Sequence, residues 1–337
     1  MVTVSVIIPN YNRAELIGKT IDNMLGQSLT PHEVIVIDDG STDNSVEIIQ
    51  SFGNKVTLIK QNNKGAGAAR NTGLEIATGE FIQFMDSDDL ASLNKLEIQA
   101  ETLLREKVDI VYGPWAKVWL DQELVRLENV VLQQKPLPKK RSILHWFITS
   151  WSMVFQQCLV RKSLLDKVGG YREDIKLYED GDLFLRLLLA GAKLIHEDQS
   201  LTLYRLGGSN KLTESGSTQA RKLSDKAKFY LIATELLAKD SQQKLLNSFE
   251  FNLRIWQTLN DLNNRSISDR FLTQKLEQTI SNYDFDFMRF CNWIEQKSNG
   301  LKQRVYGHRW SSCYRANFLN SQQHQLLNNL GLQVINL

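Results

Sequence analysis

Three carboxylates crowd into four residues where the chain leaves an apolar segment. Asp86, Asp88 and Asp89 follow directly after the apolar run at residues 81–85. Carboxylates this close repel each other unless a cation lies among them, and carboxylate oxygens are the ligands that Mg²⁺ and Mn²⁺ prefer. A DxD triplet by itself is common, but one at the end of a buried strand predicts a divalent-cation site.

Two more polar segments follow apolar runs in the same way. Residues 9–13 read Pro-Asn-Tyr-Asn-Arg, and residues 38–43 read Asp-Asp-Gly-Ser-Thr-Asp. Asp, Gly, Ser and Thr also form tight turns and helix N-caps, and this interpretation of residues 38–43 stays open. It does not explain why two acidic segments follow two separate apolar runs.

The acidic segment at residues 178–182 precedes an apolar helical pattern. It contains Glu179, Asp180 and Asp182. Carboxylates in a first helical turn complement the helix dipole. Alternatively, one of them accepts the proton of an attacking hydroxyl group. The residues alone leave both interpretations open.

Residues 65–70 partly match the dinucleotide-binding fingerprint. Arg70 stands where the third glycine is required, and residues 62–64 separate the segment from its strand. We therefore disfavour an NAD-dependent oxidoreductase. A helix N-terminus that presents Arg70 toward an anion is the functional interpretation, and a surface arginine is the alternative.

The pattern of apolar residues predicts the elements that position these side chains. Continuous apolar runs at residues 4–8, 34–37, 56–59 and 81–85 alternate with helical patterns. Such runs are typical of parallel strands buried on both faces, which predicts an α/β doubly wound sheet. Its ligand crevice lies at the carboxyl ends of the strands, where the polar segments stand. Further strands are predicted near Ile110, Val118, Val154 and Leu194.

The composition changes after residue 210. Residues 211–337 contain no proline, and apolar side chains recur at helical spacing around residues 246–256. We predict a catalytic domain at residues 1–210 and a helical region at residues 211–337. Its apolar stripe is expected to pack on the first domain or on a second subunit, giving a homo-oligomer. Alternatively, the Arg, Trp and Tyr residues at 304–314 contact a membrane surface as a peripheral anchor.

Charge and cysteine content exclude several classes of protein. The 337 residues carry a net charge of +2, which gives no electrostatic reason to expect a nucleic-acid partner. The three cysteines are far apart and form no CxxC pair, so zinc and redox motifs are unsupported. We find no signal-peptide pattern and expect a cytoplasmic protein, with peripheral membrane contact as an option.

Taken together, the segments resemble the inverting glycosyltransferase family 2. The segments that match, in the family's order and spacing, are residues 4–12, 37–43, 67–73, 84–89 and 179–180. The resemblance covers about residues 3–210. It implies the GT-A fold, a doubly wound, mixed but mostly parallel sheet flanked by helices, here with a C-terminal helical region.

The resemblance also implies roles for individual residues. The nucleotide sugar is expected to contact Pro9, Tyr11, Asp39, Arg70, Asp86 and Ser87. Within this set, Pro9 and Tyr11 pack on the base, Asp39 bonds to it, and Asp86 contacts the ribose. Asp88 is expected to hold Mn²⁺ or Mg²⁺. Asp180, preferred to Glu179 and Asp182, is expected to be the general base.

One segment departs from the family pattern. Many members carry a histidine shortly after the Tyr-Arg pair that follows the last core strand, but residues 204–209 read Tyr-Arg-Leu-Gly-Gly-Ser. We therefore expect water or phosphate oxygens, rather than a third protein ligand, to complete the metal shell.

These observations predict a metal-dependent glycosyltransferase that acts with inversion at the anomeric carbon. The expected donor is a nucleotide sugar, preferably UDP-linked, and the expected acceptor is a hydroxyl group of a glycan or lipid-linked molecule in polysaccharide or glycoconjugate assembly. The alternative is a catalytically inactive nucleotide-binding scaffold of the same fold. A nucleotidyltransferase is disfavoured because residues 9–13 lack a glycine- and lysine-rich phosphate loop.

Overall fold

The structure is a computed structural model that describes residues 2–121, 123–132, 134–137, 139, 141–151, 153–207, 216–265, 269–280, 282–305, 315–316 and 318–334. The strands are β1 (Val4–Asn10), β2 (Glu33–Asp38), β3 (Thr57–Lys60), β4 (Phe81–Phe84), β5 (Leu90–Ala91), β6 (Ile110–Tyr112), β7 (Trp115–Asp121), β8 (Leu124–Leu132), β9 (Cys158–Arg161), β10 (Leu194–His196), β11 (Thr202–Arg205), β12 (Arg315–Ala316) and β13 (Gln333–Val334). The helices are α1 (Ala14–Leu25), α2 (Ser45–Gln50), α3 (Ala66–Ile76), α4 (Lys95–Glu106), α5 (Ile143–Thr149), α6 (Lys162–Val168), α7 (Glu179–Leu189), α8 (Gly216–Lys239), α9 (Gln243–Leu246), α10 (Phe249–Asn264), α11 (Arg270–Thr279), α12 (Phe285–Val305) and α13 (Ser321–Asn329).

The larger sheet has seven strands in the order β10-β6-β9-β4-β1-β2-β3. Its neighbours are parallel except around β9, which runs antiparallel to both β4 and β6. Helices pack against this sheet, and more helices follow in the C-terminal region. The predicted α/β class, with a mixed, mostly parallel sheet and a helical C-terminal region, is confirmed.

The central strand shows why the apolar runs are continuous. Every residue of β1 is buried. Val4, Val6 and Ile8 belong to one hydrophobic cluster, while Ile7 belongs to another on the opposite face. Helix α3 approaches β1 so closely that a Cβ atom on Gly73 would lie 2.4 Å from Cγ2 of Ile7. A glycine is therefore needed where α3 crosses the sheet.

A second sheet, which the sequence analysis did not predict, lies beside the first. Its order is β12-β8-β7-β11-β5, and β13 pairs with β8. β5 begins directly after Asp89, and β11 pairs with both β5 and β7. The short strands β12 and β13 come from the C-terminal region, so the end of that region returns to β8.

One predicted element is wrong. The strand expected near Val154 is instead a turn of 3₁₀ helix at Phe155–Gln157, and the strand β9 follows it. Gln156 and Gln157 interrupt the apolar pattern there, and their side chains are buried for polar contacts rather than for packing. The turn proves important for the site.

The helical region is packed against the N-terminal part of the chain. α8 contacts α7, and α10 contacts both α5 and α12. One hydrophobic cluster contains residues of β4, α7, α8 and α10. The predicted domain boundary at residue 210 lies in the segment 208–215, outside the described residues, and the two-domain division stays a prediction. Among the described residues, no helix combines the length and hydropathy required to cross a bilayer.

Candidate active site

The carboxyl ends of parallel strands bring the polar segments to one edge of the sheet. β1 pairs in parallel with β2 and with β4, so the residues that follow these three strands stand side by side. Asp38 at the end of β2 accepts hydrogen bonds from Asn10 at the end of β1 and from Ser41. The predicted convergence of the strand-end segments is therefore present.

Arg70 joins the DxD segment to the acidic N-terminus of α7. Its Nη2 donates to Oδ1 of Asp86 at 2.6 Å, and its Nη1 lies 3.5 Å from Oε1 of Glu179 and 3.9 Å from Oδ1 of Asp180. The guanidinium is also 5.1 Å from the centre of the Tyr171 ring. Although burial opposes its charge, Tyr171 and the three carboxylates hold the pKa of Arg70 well above its ordinary value. One buried cation thus compensates three acidic side chains.

Burial raises the pKa of both carboxylates at the start of α7. Burial, followed by the charge of Asp180, raises the pKa of Glu179 to about 8. Burial also raises the pKa of Asp180, against the opposing effect of Arg70. The hydroxyl of Tyr171 donates to Oδ1 of Asp180 at 3.1 Å, and the Asp180 side chain is 24% exposed. Asp180 is therefore a positioned carboxylate that solvent or a substrate can reach.

Asp182 lies outside this cluster, on another face of α7. Its side chain is fully buried and forms an ion pair with Arg186 at 2.7 Å. Arg186 also donates to the carbonyl oxygens of Val168 and Gly170. These contacts attach α7 to the end of α6 and to the loop that follows it. The structure thus gives Asp182 a structural role.

The side chain of Gln156 forms hydrogen bonds to two carboxylates of the segment 86–89. Its Nε2 donates to Oδ2 of Asp86 and, at 3.2 Å, to Oδ2 of Asp89. Asp89 is buried and also accepts from the backbone N–H of Arg205 at 2.9 Å. Ser87, in the same segment, is also buried. Asp86 therefore receives donors on both oxygens, from Arg70 and from Gln156.

Asp88 lies beside two arginines. Its Oδ2 accepts from Nε of Arg13 at 3.2 Å, and its backbone oxygen accepts from Nε of Arg205 at 3.0 Å. No three Asp, Glu, His or Cys side chains of the described segments are gathered as a ready-made metal cage. Mg²⁺ in nucleotide sites commonly uses one or two carboxylates together with substrate phosphates. The carboxylate of Asp88, which is 15% exposed and accepts from Arg13 through Oδ2, fits a site of that kind.

Four carboxylates of the cluster affect the pKa of Tyr204. Burial, followed by the charges of Asp89, Asp86, Asp88 and Asp180, raises the pKa of its hydroxyl group. Asp88 and Asp180 therefore act on the same hydroxyl group, although they are far apart in the chain. The segment that follows Tyr204 is described only to Gly207, and residues 208 and 209 lie outside the described residues.

The predicted base-binding residues lie at the same edge but in different environments. The carboxylate of Asp39 is buried and accepts from Nε2 of Gln61 and from the backbone N–H groups of Lys64 and Gly65, at 2.7–2.9 Å. It thereby shapes the loop that leads into α3. Tyr11 is 42% exposed, whereas Pro9 is buried within β1.

Four residues of the cluster were not predicted from the sequence: Arg13, Gln156, Tyr171 and Arg205. Arg13 and Arg205 stood within segments that the sequence analysis singled out, so their position next to polar motifs was an available signal. Gln156 lies 70 residues from Asp86, and Tyr171 lies nine residues before Asp180 in a stretch without a motif. Only the folded chain brings these two side chains to the site.

Comparison with known proteins identifies relatives for the N-terminal part of the chain. Residues 5–169 match the model of Glycosyl transferase family 2. The glycosyltransferase GlyG of Streptococcus pneumoniae serotype 4 is 28% identical over 65% of this chain and 76% of its own length. The UDP-Glc:alpha-D-GlcNAc-diphosphoundecaprenol beta-1,3-glucosyltransferase WfgD of Escherichia coli is 38% identical over 33% of this chain and 44% of its own length. The chain thus spans less than half of WfgD.

Solved structures with the same fold cover most of the chain. The crystal structure of residues 1–349 of S. aureus TarS in complex with UDP-GlcNAc has a TM-score of 0.59 at 18% identity, covering 88% of this chain and 92% of that one. The mannosyltransferase PcManGT from Pyrobaculum calidifontis, in complex with GDP-Man and Mn²⁺, has a TM-score of 0.51 at 17% identity, covering 90% and 87%. At such identities the likeness shows the fold alone, which is the GT-A fold.

Proposed function

Residues 5–169 belong to Glycosyl transferase family 2, and from this premise we propose that the chain transfers a sugar from a nucleotide sugar to an acceptor hydroxyl group with inversion. The observation that carries the proposal is the cluster around Arg70, whose guanidinium lies 2.6 Å from the DxD residue Asp86 and 3.9 Å from the partly exposed Asp180. This reaction requires a leaving group, on which negative charge develops, on one side of the anomeric carbon and a proton acceptor on the other side.

We assign Asp180 as the general base. In the proposed step, the acceptor oxygen bonds to the anomeric carbon while the bond from that carbon to the diphosphate oxygen breaks, and the bonding electrons leave with the diphosphate. Asp180 takes the hydroxyl proton, which its raised pKa favours. Because no protein nucleophile takes part, one displacement inverts the anomeric centre.

We propose that the donor is UDP-linked and occupies the strand-end edge formed by Pro9, Tyr11, Asp39, Arg70, Asp86 and Ser87. The UDP-Glc donor in the name of WfgD and the UDP-GlcNAc bound in the TarS complex support this donor class. The partly exposed Tyr11 ring offers a surface for stacking a base. Since the side chain of Asp39 holds the Lys64–Gly65 backbone, any contact that it makes with a base is made by a preorganised carboxylate.

A divalent cation, Mn²⁺ or Mg²⁺, would be held by Asp88, with nucleotide phosphates completing its shell. When bound, such an ion neutralises charge that develops on the diphosphate. The Mn²⁺ in the PcManGT complex supports the choice of metal. Arg13 pairs with Asp88 in the structure and would orient this carboxylate.

The acceptor is proposed to be a hydroxyl group of a glycan or of a lipid-linked sugar. The name of WfgD, which contains diphosphoundecaprenol, supports the lipid-linked class. A role in polysaccharide or glycoconjugate assembly follows from either acceptor. A homo-oligomer through the helical region and a cytoplasmic location stay predictions. The peripheral membrane contact expected at residues 304–314 also stays a prediction, since residues 306–314 lie outside the described residues.

The decisive experiment compares carboxamide variants of the acidic residues. With UDP-, GDP- and dTDP-sugars and Mn²⁺, Asp180→Asn should lower turnover by about 10²- to 10⁴-fold, the contribution typical of a general base. Affinity for UDP should stay unchanged. Asp174→Asn is the matched control, because the Asp174 side chain is 63% exposed and forms an ion pair with the surface residue Arg172.

Two results would contradict the assignment. Full turnover of Asp180→Asn together with a large loss in Glu179→Gln would move the base to Glu179. UDP-sugar binding without transfer or hydrolysis by the unsubstituted protein would favour the inactive scaffold.

The metal assignment has its own test. Asp88→Ala should abolish the Mn²⁺ dependence of UDP binding, measured by titration calorimetry with and without the ion. Unchanged Mn²⁺ dependence in this variant would exclude Asp88 as the ligand.

A further inference from the structure

The side chain of Tyr171, in the loop between α6 and α7, is held tightly at the candidate site. It is only 3% exposed. Its ring packs edge-on against the rings of Phe84 and Phe155, with centroids 5.4 and 5.8 Å away. The guanidinium of Arg70 lies 5.1 Å from the ring centre. A ring packed in this way has little freedom to shift, so the position of its hydroxyl group is well defined.

The backbone of Tyr171 is held by the side chain of Asn71 in α3. Nδ2 of Asn71 donates to the carbonyl oxygen of Tyr171 at 2.9 Å, and the backbone N–H of Tyr171 donates to Oδ1 of Asn71 at 2.7 Å. One side chain therefore engages both backbone polar groups of a residue that lies outside helices and strands. A Cβ atom on Gly170 would lie 2.6 Å from Oδ1 of Asn71, so this contact requires glycine at position 170.

The hydroxyl group of Tyr171 reaches the carboxylate that we assign as the base. It donates to Oδ1 of Asp180 at 3.1 Å, and Nη1 of Arg70 approaches the same oxygen at 3.9 Å. A hydrogen bond to a carboxylate favours the charged form, so Tyr171 lowers the pKa of Asp180 while burial raises it. The contact therefore orients the carboxylate and favours the form that can accept a proton.

We propose that Tyr171 and Asn71 are positioning residues for the base: Asn71 fixes the backbone of Tyr171, and the Tyr171 hydroxyl group holds the Asp180 carboxylate in its reactive orientation. The inference rests on the proposed function, in which Asp180 takes the acceptor proton. Proton transfer requires a base that is held in place by packed and hydrogen-bonded neighbours. Because α3 also carries Arg70, the helix at the proposed donor site supports the base as well.

Other charged or titratable groups act on Asp180 from the elements packed around it. They are Arg70 in α3, Asp86 after β4, Cys158 in β9, Glu179 in α7 and Tyr204 in β11. Replacing Tyr171 with phenylalanine leaves all of these groups in the protein. A change in the pKa of Asp180 in that variant can therefore be assigned to the lost hydroxyl group.

The main test is Tyr171→Phe, which removes the hydroxyl group and keeps the ring. With saturating nucleotide sugar and Mn²⁺, the acidic limb of the pH profile of kcat should move toward alkaline pH by about one unit, because the lost hydrogen bond favoured the charged carboxylate. On the alkaline plateau, kcat should fall by about tenfold, because the carboxylate is less well oriented. The KM for the donor should stay unchanged.

NMR of isotope-labelled Asp carboxyl carbons measures the same contact without any turnover. The signal of Asp180 is identified by its loss in Asp180→Asn. In Tyr171→Phe this signal should titrate about one pH unit higher than in the unsubstituted protein.

Asn71→Ala tests the second part of the inference. It releases the backbone of Tyr171 and leaves the hydroxyl group in the protein, so the limb should move in the same direction by about half a unit. The double variant Y171F/N71A should move the limb no further than Tyr171→Phe alone, because both substitutions act through one hydrogen bond.

Tyr230→Phe is the matched control. Tyr230 in α8 is also buried, and its ring packs against those of Phe229 and Phe251. None of the hydrogen bonds described joins it to Asp180, so its replacement should leave both the limb and kcat in place. Thermal unfolding checks that each variant folds.

Three results would overturn the inference: an Asp180 pKa that is the same in Tyr171→Phe, a raised pKa with unchanged kcat at every pH, or an equal loss of kcat at every pH with the limb in place. Failure of the proposed function is a different result, namely full turnover in Asp180→Asn or no sugar transfer by the unsubstituted protein. Either would remove the reaction for which Asp180 is positioned, whereas the NMR titration would still decide whether Tyr171 holds the carboxylate.

Discussion

Replacing Arg70 with methionine should move the pH dependence of catalysis. The variant removes a buried positive charge 3.9 Å from Asp180 and 3.5 Å from Glu179 while keeping an unbranched side chain. At about 4 Å and an effective dielectric of about 20, two unit charges interact by about 4 kcal/mol. Because one pKa unit corresponds to about 1.4 kcal/mol, the loss of an interaction of this size raises the pKa of the base by up to about three units.

The sign of the effect follows from the role of the base. Asp180 must be deprotonated to accept a proton, and loss of Arg70 favours its protonated form. The acidic limb of the pH profile of kcat should therefore move toward alkaline pH by up to about three units. At pH values below the acidic limbs of both proteins, kcat should fall by about tenfold for each unit by which the limb moves.

The assay is kcat at saturating donor between pH 6 and pH 9, expressed per folded protein, because breaking a buried ion pair costs about 3–5 kcal/mol of stability. Arg70→Lys keeps the charge and should move the limb less. Arg161→Met is the matched control: Arg161 also pairs with a carboxylate, Glu80, and lies 4.9 Å over the ring of Phe81, but it contacts none of the site residues among the contacts described. A limb that stays in place while kcat falls equally at every pH would refute the electrostatic reasoning.

Two further predictions concern stability. Gly73→Ala should lower the free energy of unfolding by about 1–3 kcal/mol, because the new Cβ would overlap Ile7. Gly67→Ala on the same helix is the control: its new Cβ would meet nothing closer than 3.5 Å, so the free energy of unfolding should change little. Equal effects of the two substitutions in denaturant titrations would contradict this prediction. Burial lowers the pKa of Lys95 to about 7, so its contribution to stability is present above the ordinary value of 10.5 and is lost as pH falls through about 7. This change in the free energy of unfolding is on the order of a few kcal/mol, and Lys95→Met should remove it. Stability curves against pH that run parallel for the two proteins would contradict the prediction.

The fold and the family could be predicted because they depend on local patterns. The buried runs of β1, β2 and β4 are continuous in the sequence, and each ends in a polar segment. The predicted fold class, the resemblance to family 2 and the glycosyltransferase assignment are confirmed. The roles of individual site residues stay predictions.

What could not be predicted depends on long-range contacts or on very short elements. Gln156 reaches Asp86 and Asp89 from a 3₁₀ turn that had been expected to be a strand. β5, β12 and β13 have two residues each, too few for any periodicity to show. These three short strands therefore leave almost no signal in the sequence.

The charge balance of the cluster has a thermodynamic consequence. Arg70 lies next to the carboxylates of Asp86, Glu179 and Asp180, and Arg13 pairs with the carboxylate of Asp88. The guanidinium of Arg205 contacts the backbone oxygen of Asp88, and the carboxylate of Asp89 accepts from the backbone N–H of Arg205. These five carboxylates therefore outnumber the three arginines. A diphosphate that entered alone would add negative charge where acidic groups already outnumber basic ones. Donor and divalent cation are therefore expected to bind as a coupled pair, in which each raises the affinity of the other by the same factor. A nucleoside without phosphates should show no such coupling.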